Sequence, residues 1–125
     1  MQTWFYVAVG GAIGACLRFG MTELLALLLG RNFPYGTLAV NVVGSFIMGL
    51  AFALISHGHV LESPMKPLLM VGILGALTTF SSFALDTVLL AQQGAYLKAL
   101  LNTALNVFLC LAMVVLGMQL VASRV

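Results

Sequence analysis

The sequence predicts an all-α membrane protein with four transmembrane helices, and three observations carry that prediction. Of its 125 residues, 62% are hydrophobic and only 6% charged, whereas a soluble domain carries about a quarter charged residues. Such a chain cannot cover its surface with polar groups, so its surface must face lipid. Second, four apolar stretches, roughly 3–29, 36–56, 67–92 and 96–122, reach the length of about 20 residues that a bilayer-crossing helix needs. Third, the gaps carry turn punctuation: Gly30-Arg31-Asn32-Phe33-Pro34, Ser56-His57-Gly58-His59 through Pro67, and Gln92-Gln93-Gly94. Connections this short make consecutive helices antiparallel neighbours. A single domain over 1–125 results, and its function has to live in the four helices.

Helix 1 reads as a retained span rather than a signal peptide. It has no basic leading region, since the first arginine is Arg18, and its apolar run is too long. Gly10 and Gly14 form a GxxxG pair with Gly11 alongside, a pattern that lets helices approach closely. Cys16 here and Cys110 on helix 4 lie in apolar runs and read as buried small hydrophobes; no Cys/His spacing points to a metal. Arg18 and Glu23 are charges inside the span, which makes them functional candidates. Five residues apart, they pair poorly along a helix. Arg18 therefore anchors against a partner helix or draws anions into a vestibule.

Helix 2 carries Asn41 near its start, with two amide donors and one carbonyl acceptor. Two readings stand: an interhelical hydrogen bond, or an NH₂ donor aimed at a passing anion. His57 and His59 in the following loop read as solvated side chains.

Helix 3 is the anomaly. Gly72 and Gly75, one turn apart, suit close packing. Four hydroxyls then follow within five positions, Thr78, Thr79, Ser81 and Ser82, where a membrane helix should carry Leu and Val. Polar groups in hydrocarbon are expensive unless something satisfies or uses them. A local break here frees carbonyls at one half-helix end and amides at the other. Freed carbonyls suit a small hard cation; amides and hydroxyls suit an anion. Phe80 and Phe83, at i and i+3, share a face. They pack against lipid or core, or present positive ring edges to a dehydrated anion. Asp86 follows one turn later and lines the same route or binds a backbone group.

Helix 4 carries Asn102, Asn106 and Cys110 at i, i+4 and i+8, a polar stripe with Thr103 beside it. The stripe argues for a shared interface or a pore wall. The loop charges do not decide orientation. Lys66 and Arg124 fall on one side, Arg31 and Lys98 on the other, and the positive-inside rule needs an excess. A tie permits insertion both ways, and two opposed copies form an antiparallel dimer, which larger transporters build from inverted repeats.

Taken together, three motifs in order resemble the Fluc, or CrcB-type, family of fluoride channels over essentially the full length. They are Gly10-Gly11-x-x-Gly14-x-x-x-Arg18, Gly36-Thr37-Leu38-x-x-Asn41-x-x-Gly44, and Gly75-x-x-Thr78-Thr79-Phe80-Ser81-Ser82-Phe83. The resemblance implies an antiparallel, dual-topology homodimer in a bacterial inner membrane, with two separate fluoride pores. It also implies a central structural Na⁺ on the backbone carbonyls of Gly75 and Thr78 of both copies. By motif, Phe80, Phe83 and Asn41 are pore residues, Ser81 and Thr79 a polar track, and Arg18 lies toward the aqueous entrance. Asn106 and Asn102 are candidates to face the pore, and Asp86 to face the vestibule. Two departures stand out. A frequent Gly-Gly before the break is here Gly75-Ala76, and a frequent Glu is here Asp86. The implied activity is passive export of cytoplasmic F⁻ through the bilayer.

The runner-up is a small multidrug-type, proton-coupled transporter, which needs a central acid on helix 1. Glu23 is displaced toward the helix end, and no aromatic cage for a bulky cation lies nearby. A scaffold subunit has no use for the Thr/Ser/Phe segment. No nucleophile–base or metal-ligand set marks an enzyme.

Overall fold

The computed structural model describes residues 1–58 and 63–124; His59 lies outside them, and His57 is exposed, as a solvated loop residue should be. Four spans are long and apolar enough to cross a bilayer, Gln2–Leu29, Tyr35–Ser56, Pro67–Gln92 and Tyr96–Ala122. They match the stretches read from hydropathy, because in hydrocarbon only an internally bonded helix satisfies the backbone. The chain is a multi-pass membrane protein. The elements are α1 (Gln2–Leu29), α2 (Tyr35–Ser56), α3 (Leu74–Leu77), α4 (Phe80–Gln92) and α5 (Tyr96–Ala122). A wide-turned π-helical stretch, Pro67–Ile73, leads into α3. Gly30 closes α1 at φ 85°, and Gly94 turns the chain between α4 and α5 at φ 79°, backbone that glycine adopts without strain.

Small residues set the packing. A Cβ on Gly10 would strike the Leu68 carbonyl, and one on Gly14 the Ile73 carbonyl, so α1 lies backbone to backbone on the first half of the third span. Gly72 completes that contact, 2.8 Å from Gly10 Cα to an added Cβ. Gly49 on α2 meets the Val114 carbonyl, and Gly117 on α5 meets the Phe46 carbonyl. The expected role of Gly75 fails within the chain. Gly75 is exposed, with only Met70 O near an added Cβ, at 3.7 Å. Gly14 is met by Ile73 and by Ala76, the latter about 100° further round the helix than Gly75.

The apolar core is small: Val40, Leu74 and Leu77, with Met21, Ile47, Met48 and Leu69 against them. Large apolar side chains such as Trp4, Phe19, Leu27, Leu97 and Phe108 point outward, which costs little when the surroundings are lipid. Cys16 is also exposed, and Cys110 half-buried, so neither is the buried hydrophobe expected. On α1 the buried residues are the two packing glycines, which leaves a Cys16 two positions on without cover.

α2 packs along the later part of α5, while α4 packs on its beginning. Between those two contacts α5 widens into π geometry at Leu105–Leu109. Lys98 Nζ donates to Asn32 O at 3.3 Å, which puts the turn after α1 and the start of α5 at the same membrane face.

Candidate functional site

Among the described residues, the buried polar side chains are Thr37, Asn41, Asn102 and Asn106. Three of them gather at one place, where the third span changes direction. Thr78 (φ −82°, ψ 151°) and Thr79 (φ −152°, ψ 116°) are extended between α3 and α4. The cause is a side chain from another helix. Asn41 Oδ1 accepts from the Thr79 N–H at 2.8 Å, and Asn41 Nδ2 donates back to Thr79 O at 3.1 Å. The amide thus pairs with both backbone groups of one residue, as a neighbouring peptide would. Thr79 then caps α4, its Oγ1 accepting from the Ser82 N–H at 3.1 Å, the usual service of a threonine at a helix start. Thr78 Oγ1 turns back to Leu74 O at 2.9 Å, and its methyl fills the space left by Gly44.

These bonds change the state of two carbonyls. In a continuous helix Gly75 C=O accepts from the Thr79 N–H, and Thr78 C=O from the Ser82 N–H. Here both donors are engaged elsewhere, on Asn41 Oδ1 and Thr79 Oγ1.

Two cavities border the extended pair, and a third adjoins one of them. One of about 370 Å³ is lined by Asn41, Ser45, Thr78, Thr79, Phe80, Phe83, Asn106 and Cys110, among others. A second, about 320 Å³, is lined by Arg18, Thr22, Thr37, Thr79, Ser82 and Asp86 with apolar neighbours. A third, about 230 Å³, lies at the membrane face, between the 30–36 turn and Gln93, and includes Thr22, Thr37 and Asp86. Shared linings order them. Thr22, Thr37 and Asp86 border both the second and third, and Thr79 borders both the first and second. A succession of polar groups therefore runs from the membrane face to the two phenylalanines.

The rings of Phe80 and Phe83 meet edge to face, centroids 5.2 Å apart and planes at 78°. They differ in setting: Phe83 is 7% exposed and Phe80 77%, so Phe80 stands at the chain's outer surface. Both hydrogens of the Asn41 amide are committed, one to Thr79 O and one to Asn106 Oδ1 at 2.8 Å. Of the two readings of Asn41, the interhelical bond is the one realised in this conformation. The donors left on the first cavity's lining are hydroxyls, Thr79 and Ser45 among them, beside the two rings; Ser81 lines none of the three cavities. Thr79 Oγ1 and Ser81 Oγ lie 3.4 Å apart; one hydrogen serves that contact and the other stays available. Ser81 itself is exposed beside Phe80.

Arg18 and Asp86 line the second cavity together. The Arg18 Nε is buried and has no hydrogen-bond partner among the described residues, and Asp86 shares the linings of two cavities with Thr37. Glu23 does not join them; it pairs with Arg31 at 3.3 Å, in the open. That leaves helix 1 without a free central acid. Asn102 and Asn106 form an inward-facing pair on α5, Asn106 Nδ2 donating to Asn102 Oδ1 at 3.0 Å and to Asn102 O at 2.9 Å.

Several participants escaped the sequence reading. Thr87 receives the Asn102 Nδ2 hydrogen at 3.0 Å, Ser45 lines the cavity one turn after Asn41, and Thr37 and Thr22 join the outer cavities. Ser45 and Thr87 follow Asn41 and Phe83 by four residues, the spacing of neighbours on one helix face, and that signal was present.

Fold and site together define a small multi-pass membrane protein with a polar route leading to a pair of aromatic rings. Residues 5–118 match the family model described as CrcB-like protein, Camphor Resistance (CrcB). A relative named fluoride-specific ion channel FluC, from Aeromonas salmonicida, is 86% identical over 125 residues, covering 100% of both chains. Relatives of the same name come from Shewanella denitrificans, 55% identical over 100% of both chains, and Pseudoalteromonas translucida. The latter is 53% identical over 94% of this chain and 98% of its own. The chain belongs to the CrcB-like family, whose named relatives are ion channels and not enzymes.

Proposed function

We propose that this protein is a fluoride-selective channel that lets cytoplasmic F⁻ leave the cell down its electrochemical gradient. The observation that carries the reading is the succession of cavities joined at Thr79 and ending on the Phe80–Phe83 pair. A fluoride ion gives up strongly bound water, so the route must offer replacement donors in several moderate steps; one tight site would hold the ion. Arg18 attracts the anion into the second cavity, and the Thr37, Ser82 and Thr79 hydroxyls lead it inward. The Thr79–Ser81 pair and the ring edges of Phe83 and Phe80 then take it over. Asn41 and Asn106 wall the same cavity. Asp86 lies opposite Arg18 in the vestibule and limits how firmly that site holds an anion.

The working unit is an antiparallel homodimer with two pores. Phe80 at the outer surface and the exposed Gly75 leave both the ring and the carbonyl open to a second copy. A structural Na⁺ at the dimer centre fits the donor set. Among the described residues no group of three or more His, Cys, Asp or Glu could hold a metal ion, and the donors at the interruption are neutral oxygens, which suit a hard cation. The carbonyls of Gly75 and Thr78, relieved of their helical donors, supply them. Hard cations take several oxygen ligands, and a two-fold axis doubles the pair. When bound, the ion would supply the positive charge that offsets these carbonyl dipoles.

The test is efflux from liposomes read with ion electrodes. F⁻ flux well above Cl⁻ flux supports the channel; drug-driven proton flux without F⁻ current overturns it. Replacing Na⁺ with a large organic cation should remove flux and loosen the dimer.

A further inference from the structure

Asn41 does not act alone, and the chain of bonds behind it has one direction. The Thr79 N–H donates to Asn41 Oδ1 at 2.8 Å, and Asn41 Nδ2 to Asn106 Oδ1 at 2.8 Å. Asn106 Nδ2 donates to Asn102 Oδ1 at 3.0 Å, Asn102 Nδ2 to Thr87 Oγ1 at 3.0 Å, and Thr87 Oγ1 to Phe83 O at 2.8 Å. The first group is a backbone N–H, which can only donate, and the last a backbone C=O, which can only accept. Every amide between them is thereby fixed in orientation, since reversing one sets donor against donor. Asn102 is fully buried and Asn41 and Asn106 nearly so, so water does not offer the alternatives it would at a surface.

The loop starts at Thr79 and returns to Phe83, bracketing the segment that holds Phe80 and Ser81. It also reaches into α5, where the Asn106 amide takes the Asn102 carbonyl at 2.9 Å just where the helix widens. Such wide turns inside helices are frequent at functional sites.

We infer that Asn106, Asn102 and Thr87 are positioning residues: by orienting the Asn41 amide, they hold the Thr79 N–H away from the Gly75 carbonyl and keep that carbonyl available to a cation. This rests on the channel reading for its purpose, not for its geometry. Thr87 is the informative member. It is absent from the linings of all three cavities, so it does not reach Thr79 as a cavity wall, and the chain of bonds links the two.

The experiment uses full-length protein labelled with ¹⁵N-threonine, reconstituted in lipid, and reads hydrogen exchange at the Thr79 amide. The variants are Asn106→Ala, the isosteric Thr87→Val, and Thr103→Val as control, whose hydroxyl only bonds back to Ala99 O on the same helix. Exchange at Thr79 should quicken about tenfold in Asn106→Ala and about threefold in Thr87→Val, as expected for losing or loosening one ordinary hydrogen bond. The Na⁺ concentration for half-maximal efflux should rise in the same order, and Thr103→Val should change neither. Unchanged Thr79 exchange in Thr87→Val and Asn106→Ala overturns the inference, even if Asn106→Ala lowers flux; Asn106 then acts on the ion directly. Should Asn106→Ala fail to fold, Thr87→Val decides by itself. Thr79 exchange does not depend on the ion carried, so a wild type that passes no fluoride defeats the channel reading and leaves this readout standing.

Discussion

The third and fourth spans are both irregular at mid-depth, in opposite ways. In the fourth, the side chain that disturbs the ladder belongs to the same helix. Asn106 takes the Asn102 carbonyl, and the turns at Leu105–Leu109 widen while the backbone stays helical. In the third, the intruder comes from α2. Asn41 takes both backbone groups of Thr79, the ladder stops, and two residues become extended. A local intruder shifts hydrogen bonds along the helix; a remote one removes donors from it. Only the second leaves carbonyls to be used, which is why the cation reading attaches to Gly75 and Thr78 and not to α5.

Removing the remote intruder should have the largest effect. Asn41→Leu strands the Thr79 N–H and C=O and Asn106 Oδ1, each at about 1–3 kcal/mol. We expect a large fall in thermal midpoint in detergent and loss of efflux. Wild-type flux in a stable Asn41→Leu variant breaks the comparison between the spans.

Next in size is the aromatic pair after the interruption. Phe83→Ile keeps bulk but deletes a ring edge, and F⁻ efflux should fall by at least about tenfold, a loss of about 1.4 kcal/mol or more from the barrier balance, with dimer assembly intact. Phe80→Ile should do the same. Full flux in both sinks their assignment to the pore.

Smaller is the effect of Gly14→Ala, which drives a methyl into the Ile73 carbonyl. Overpacking of this kind costs about 1–3 kcal/mol, visible as a lower melting temperature with ion preference unchanged. Smallest is Gly75→Ala. Its methyl meets only Met70 O at 3.7 Å within the chain, so single-chain stability should stay within about 0.5 kcal/mol of wild type. A shift confined to Na⁺ dependence sharpens the comparison by putting Gly75 on the cation side.

The four spans were legible because hydropathy over 20-odd residues is a strong signal. So were Gly10, Gly14 and Gly72, whose spacing reports helix contact. The Thr78–Phe83 segment declared itself as hydroxyls out of place. What local pattern could not carry was the partner: Asn41 and Thr79 are 38 positions apart, and nothing near either names the other. That Gly75 serves no contact within the chain was illegible for a related reason. Its spacing from Gly72 suits one face, but α1 meets Ile73 and Ala76, and the crossing point belongs to tertiary geometry. Cys16 failed similarly, since an apolar run does not say which face meets lipid. The widening of α5, beside the bond from Asn106 Nδ2 to Asn102 O, leaves no mark in composition.

The central claim is that the route through Thr79 to the two rings passes fluoride in preference to other anions. Its most direct measurement is efflux from liposomes reconstituted with the purified protein, loaded with equal KF and KCl in the presence of Na⁺, and followed with both electrodes after addition of a potassium ionophore. We predict rapid F⁻ release with Cl⁻ retained, and release at least about tenfold slower in Phe83→Ile. Equal release of both ions, or no F⁻ release by folded protein, contradicts it.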